Sequence, residues 1–243
     1  PKPLVDAVRD RVENGSQFLL PVEDSIDVSQ ELAHRYQLPF WQFTLSASSA
    51  NTEAIRIARA YTGKENVLVF NGKYHGHIDD TMGSQNPEHN SLGFTQNFSS
   101  KTIHVDFNDL NAVEAALKKF PMACIITEPA LTNIGVIKPA PGFFEALRKL
   151  CDQHQCLLII DETHTQICAW GGLSRAWNIL ADMFTLGKTV AAGIPTGAYG
   201  MNKEIGEFVA IHLEVDNALD PRGQQGGLAI GGTLYGNALS MAA

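Results

Sequence analysis

Short, mostly apolar runs recur along the chain at residues 67–70, 103–107, 123–127, 157–161 and 183–186, each bounded by polar residues. Runs of this length read as strands buried on both faces of a parallel sheet. Gly197–Met201 could form another, running on from the Gly193-Ile194-Pro195 turn. Between the runs the apolar spacing becomes helical. Leu4, Val5, Val8 and Val12 mark an amphipathic helix over 3–14, ended by Asn14-Gly15. Residues 25–37 read as a second helix, with Ser25 or Asp27 as cap and Pro39 beyond its end. A third follows Ser46-Ala47-Ser48-Ser49 and runs through Ile55, Ile57, Ala58 and Tyr61 to a Gly63 stop. Further helices are expected over 108–119 and 142–154. Residues 211–233, with Pro221 and several glycines, read as a long mobile loop.

Strands alternating with helices at this spacing imply right-handed crossovers and an α/β fold. The sheet is expected to be mainly parallel, roughly seven-stranded, with helices on both faces. In such sheets ligands bind beyond the carboxyl ends of the strands. That edge is where this chain concentrates its polar residues. Tyr74-His75-Gly76-His77 follows the first strand, Glu128 the third, Asp161-Glu162 the fourth and Lys188 the fifth.

Asp161 and Lys188 suit a pyridoxal phosphate (PLP) site. The lysine would form a Schiff base, and the acid would keep the pyridine nitrogen protonated. Taken alone, the pair reads equally as an ordinary strand-end salt bridge. The hydroxyl-rich run 46–49 opens a helix, where free backbone N–H groups make a phosphate cradle. A plain serine N-cap is the other reading. His75 and His77 lack a third ligand and the spacing for two on one helix, so no metal site is expected.

Composition narrows the classes. A net charge of −8 without a basic run argues against nucleic acid or an anionic membrane as main partner. No apolar stretch reaches the length of a membrane span, and the first residues lack the apolar core of a signal peptide. Cys124, Cys151, Cys156 and Cys168 have no CxxC spacing and read as reduced structural thiols, which points to a cytoplasmic setting.

Six stretches in order, SASSANTEAIRIARAYTG, YHGHID, EPALTNIG, LIIDETHT, LGKTVAAGIPTGAYG and GGTLYGNALSMAA, resemble the class III aminotransferases of PLP fold type I. Within that group the chain is most similar to glutamate-1-semialdehyde aminomutase-like proteins. The resemblance implies a helical segment over 1–40 leading into a PLP-binding large domain over 41–243. It also implies a small C-terminal domain that lies outside this sequence and usually supplies an arginine for the substrate carboxylate.

The residue roles follow from the resemblance alone. Lys188 would carry the cofactor and later move the proton between substrate and cofactor. Asp161 would pair with the pyridine nitrogen. Ser46, Ala47 and Ser48 would wrap the phosphate, and Tyr74 would stack on the ring. Glu128 and Asn133 would face the substrate, and Thr233 would reach the phosphate of the neighbouring subunit in a homodimer. The implied activity moves an amino group from an amine or amino acid to a carbonyl acceptor. An intramolecular aminomutase, or a non-catalytic PLP-binding protein on the same fold, are the alternatives.

The chain also departs from the family pattern. Ala47-Ser48-Ser49-Ala50 stands where a Gly-Thr-Glu-Ala run is usual. Thr163 replaces a small aliphatic residue on the ring face. His164 falls near the ring hydroxyl, where it either donates a hydrogen bond to the cofactor or only fills space. Gln166 to Trp170 replace a glycine-rich stretch.

Overall fold

The computed structural model describes residues 2–84, 93–94, 100–214 and 227–243. It contains one seven-stranded sheet. Strands β2 (Asn66–Phe70), β3 (Thr102–Val105), β4 (Met122–Thr127), β5 (Leu157–Asp161) and β6 (Met183–Leu186) run parallel. At the other end β7 (Gly197–Met201) pairs antiparallel with β6, and β1 (Phe40–Thr44) antiparallel with β7. The order across the sheet is β1-β7-β6-β5-β4-β2-β3.

Burial on both faces accounts for the unbroken apolar runs. Successive strand residues point to opposite sides, so Leu68, Ile125, Leu158 and Ile160 enter one core and Val67, Val69, Ile126 and Ile159 the other. Helix α3 (Ala47–Thr62) covers the second face with Ala50, Ala54, Ile55, Ile57 and Ala58. Helices α5 (Leu110–Lys119) and α6 (Phe143–Gln153) cover the first, through Val113, Leu117, Phe143 and Leu147. Asp109 caps α5, its carboxylate accepting from the Ala112 N–H at 2.9 Å. Before the sheet come α1 (Lys2–Asn14), which buries no residue, and α2 (Glu23–Tyr36). Short helices α4 (Asp79–Met82), α7 (Gly172–Ala176) and α9 (Ala238–Ala242), with the longer α8 (Lys203–Glu214), are the remaining α-helices among the described residues.

Besides the short helices, which the apolar spacing does not predict, two elements differ from the sequence expectation. Strand β1 carries no apolar run, because it lies at the sheet edge and buries only Trp41 and Thr44 fully. Gly200 on β7 makes room for Trp41, since a Cβ there would stand 2.5 Å from the indole. The expected loop over 211–233 begins too early. Residues 211–214 finish α8, which anchors Ile205 and Val209, one turn apart, in the core. Gly206 masks this helix in the sequence, and its missing side chain lets the Phe40 ring pack against it. Residues 215–226 lie outside the described residues, and 227–233 form neither helix nor strand. None of the described helices is long and apolar enough to cross a membrane.

Candidate active site

The carboxyl ends of β2, β4, β5 and β6 and the start of α3 surround a cavity of about 320 Å³. Ser46, Ala47, Ser48, Tyr74, Glu128, Asp161, His164 and Lys188 all line it. Topology brings these distant residues together, because every parallel strand delivers its carboxyl end to one edge.

The α3 end is an anion cradle in its backbone. Ser46 is the N-cap, and its Oγ accepts from the Ser49 N–H at 3.1 Å. The Ala50 N–H goes to the Ser46 carbonyl at 3.0 Å. The Ala47 and Ser48 N–H groups have no acceptor among the described residues and are the free donors of the first turn, at the positive end of the helix dipole. The Ser46 hydroxyl is engaged in capping. The Ser48 hydroxyl accepts from the His77 N–H at 3.1 Å and ties the cradle to the loop after β2. Gly76 in that loop has φ +95, and a Cβ on it would fall 2.2 Å from Ser48 Oγ.

Asp161 ends β5 fully enclosed. Burial alone would push its carboxyl up. Hydrogen bonds from His75, Thr163 and Asn51 outweigh this and hold it below the usual carboxylate value. The bonds are His75 Nδ1 to Oδ2 at 2.9 Å, Asn51 Nδ2 to Oδ2 at 2.9 Å and the Thr163 N–H to Oδ1 at 3.0 Å. Asn51 also donates to the His75 carbonyl at 2.8 Å. The result is a buried anion, held rigid and ionised.

Lys188 follows β6 through Gly187 and adopts φ +48, the left-handed region that a long side chain seldom occupies. Gln166 Nε2 donates to the Gly187 carbonyl at 2.5 Å and fixes the approach to this turn. The Lys188 amine forms no ion pair among the described residues, and Asp161 is bound to His75 instead. The ordinary strand-end salt bridge is therefore not what the structure contains.

Glu128 is buried after β4, and its Oε2 accepts from the Thr132 hydroxyl. His164 Nδ1 lies 2.5 Å from the same hydroxyl. Asn133 is exposed and does not line the cavity; its neighbour Thr132 makes these contacts. Thr233 is also exposed and away from this cavity, its carbonyl accepting from Gln17 Nε2.

Sequence reasoning missed Asn51, His75 and Thr132 as parts of the site. Asn51 left a signal, since it is a polar residue on the buried face of α3. His75 shows in the sequence as one of the polar residues after the first strand, with nothing there to pair it with Asp161. Thr132 left none, because it reaches Glu128 four residues back only through the fold of its loop.

The Aminotransferase class-III family description matches residues 2–243. The chain belongs to the class III aminotransferase family. A curated glutamate-1-semialdehyde 2,1-aminomutase from Citrifermentans bemidjiense is 34% identical over 99% of the chain and 56% of its own length. The crystal structure of a glutamate-1-semialdehyde aminomutase from Pseudomonas aeruginosa PAO1 superposes with TM-score 0.88 at 39% identity, over 99% of this chain and 54% of that one. A transaminase with PLP bound aligns with TM-score 0.85 at 25% identity, over 100% of this chain and 57% of its own. The chain thus spans a little over half the length of these relatives. The class III family assignment agrees with the mainly parallel sheet and with the resemblance read from the six motifs.

Proposed function

We propose that the protein is a PLP-dependent aminotransferase, moving an amino group from an amine or amino acid to a carbonyl acceptor. The observation that carries this is one cavity holding three complementary groups: the two N–H groups at the start of α3, the ionised Asp161 and the Lys188 amine. Their chemistry fits the cofactor part by part. Helix-end N–H groups suit a phosphate, a buried carboxylate suits a pyridinium N–H, and an unpaired amine suits an aldehyde. The volume is that of a small-molecule site.

PLP, when bound, supplies an aldehyde that captures amines and a ring that draws electrons from the adjacent carbon. This chain's residues do the rest. Ala47 and Ser48 orient the phosphate through their N–H groups, with Ser46 holding the helix start in place. Tyr74, at the cavity wall, would be the residue to cover the ring. Asp161, pinned by His75 and Asn51, would keep the ring nitrogen protonated. Lys188 would hold the cofactor, and its amine would then be the group in the cavity placed to hold or move a proton.

The cradle of this chain differs from the usual one, yet it remains competent. Ala47 is not among the residues with positive φ, so its Cβ is accommodated and its N–H stays available. Glu128 and His164 form the substrate side, with Thr132 between them. Asn133 is outside this wall in the structure and would enter only with a movement of its turn. The reading carries a homodimer, in which the exposed Thr233 reaches the partner's phosphate. Free, mostly buried thiols at Cys124, Cys151 and Cys156 suit a reducing, cytoplasmic setting.

Borohydride reduction of the PLP-loaded protein, followed by peptide mapping, tests the assignment. Cofactor is expected on Lys188, and cofactor on any other lysine sinks it. Similarity to proteins named aminomutases favours a second reading, in which the amino group returns to the molecule that gave it up. An assay with a separate keto-acid acceptor decides, since a mutase leaves little free keto product.

A further inference from the structure

Glu128, Thr132 and His164 form a connected chain on the cavity wall. The Glu128 side chain is 3% exposed and that of His164 32%. Thr132 Oγ1 donates to Glu128 Oε2 and also lies 2.5 Å from His164 Nδ1, while Nδ1 and Oε2 are 3.5 Å apart.

The bonding order places the protons. A threonine hydroxyl has one hydrogen, and an ionised carboxylate only accepts. Thr132 therefore gives its hydrogen to Glu128 and must accept from His164. Nδ1 of His164 then carries a hydrogen, and in the neutral form of the ring Nε2 is the nitrogen that holds the lone pair. With Nδ1 engaged, Nε2 is the nitrogen left to meet a ligand in the cavity that Lys188 also lines.

We propose that His164 is a second proton-transfer residue of this site, taking the proton from the incoming amine donor. The inference rests on the amino-transfer reading above. A primary amine arrives mostly as an ammonium ion, which has no lone pair with which to attack. One N–H bond of the ammonium breaks, and its electron pair stays on the donor nitrogen. The proton forms an N–H bond to Nε2. The resulting imidazolium faces the buried Glu128 carboxylate through Thr132, which offsets its charge. The ring returns the proton to water after the donor has reacted. Tyr74, His75, Asp161 and Lys188 are the other titratable groups lining the cavity, and of these His75 and Asp161 are bound to each other.

The ring state is read first, in protein without cofactor, from the nitrogen shifts of 15N-labelled histidine. His164 should be in the Nδ1–H form, and Thr132→Val should abolish that preference. A dominant Nε2–H form, or a Thr132→Val protein identical to wild type, overturns the relay. In PLP-loaded protein, His164→Ala should slow the reaction with an amine donor on the order of 100-fold. Added imidazole should restore part of the rate, as a filled space or a lost contact would not. An unchanged rate, or a loss that imidazole leaves untouched, overturns the proton-transfer role. Borohydride trapping on Lys188 runs alongside. Trapping with a normal rate in the variant defeats the His164 inference alone, whereas failure to trap in wild type defeats the amino-transfer reading beneath it.

Discussion

Asp161 and Glu162 are consecutive and both buried, yet their carboxyls are displaced in opposite directions. Asp161 is held below its ordinary value of 3.8 and Glu162 is pushed above 4.5. Alternation along the strand end sends them to different neighbours. Asp161 meets the donors of His75, Asn51 and the Thr163 N–H. Glu162 is dominated by desolvation, although it accepts from the Ser174 N–H at 2.5 Å, the Leu173 N–H at 3.3 Å and the Thr165 hydroxyl. One carboxylate is kept as an anion for the cavity, and the other holds the start of α7.

Removing His75 should expose the dependence of Asp161 on its donors. A folded value below the unfolded one means stability that is present above pH 3.8 and lost as pH falls through the folded value. In His75→Ala the folded value of Asp161 rises, so this contribution shrinks. The acid midpoint of unfolding, followed by circular dichroism, should move to higher pH. Neutral stability should drop by about 2–4 kcal/mol, the cost of a buried charge losing a donor. An unmoved acid midpoint would mean that Asn51 and the Thr163 N–H suffice.

Glu162 should give the opposite slope. Its folded value is raised, so its contribution is fully present below pH 4.5 and declines as pH rises through the folded value. Glu162→Gln cannot titrate, and denaturant unfolding from pH 4 to pH 8 should show a flatter profile than wild type. The variant should also lose about 1–3 kcal/mol, because the amide NH₂ must replace one carboxylate oxygen and cannot accept there, so either the Ser174 N–H at Oε1 or the Leu173 N–H at Oε2 loses its acceptor. Profiles of equal slope would show that Glu162 does not titrate in this range.

Most of the sheet was legible because its strands are buried on both faces, a pattern written directly as apolar runs. That Lys188, Asp161, Ser46, Ala47, Ser48 and Tyr74 gather at one edge of the sheet was legible from their places at strand ends and a helix start. Strand β1 was not, since an edge strand with one well-buried aromatic gives no run. Asn51 and His75 were hidden for another reason. Their role is to hold Asp161, and residues 51, 75 and 161 become neighbours only when α3 lies across the sheet.

Close approach is likewise invisible in sequence, and Gly187 shows its consequence. A Cβ at Gly187 would stand 2.6 Å from the Ala47 methyl and 3.0 Å from the Ala47 nitrogen. The cradle and the lysine turn are thus pressed together. Gly187→Ala should cost about 1–3 kcal/mol by overpacking. It should also push the start of α3 away from Lys188, so that borohydride traps less cofactor on Lys188 at equal PLP. Wild-type stability and trapping in the variant would show that the two segments separate freely.

Thr163 separates stability from function most directly. Its side-chain oxygen is buried without a hydrogen-bond partner among the described residues, although the residue lines the cavity and its own N–H is bound to Asp161. A buried hydroxyl left unsatisfied costs free energy that a methyl of the same shape does not. Thr163→Val should therefore stabilise the protein without cofactor, by about 0.5–1.5 kcal/mol in urea unfolding. The polar atom would then be retained for a ligand. PLP or amine donor should bind the variant less tightly, by a factor on the order of 5–10, one modest hydrogen bond. Higher stability with unchanged binding of both would show that the hydroxyl serves neither, and lower stability would show that it already has a partner within the protein.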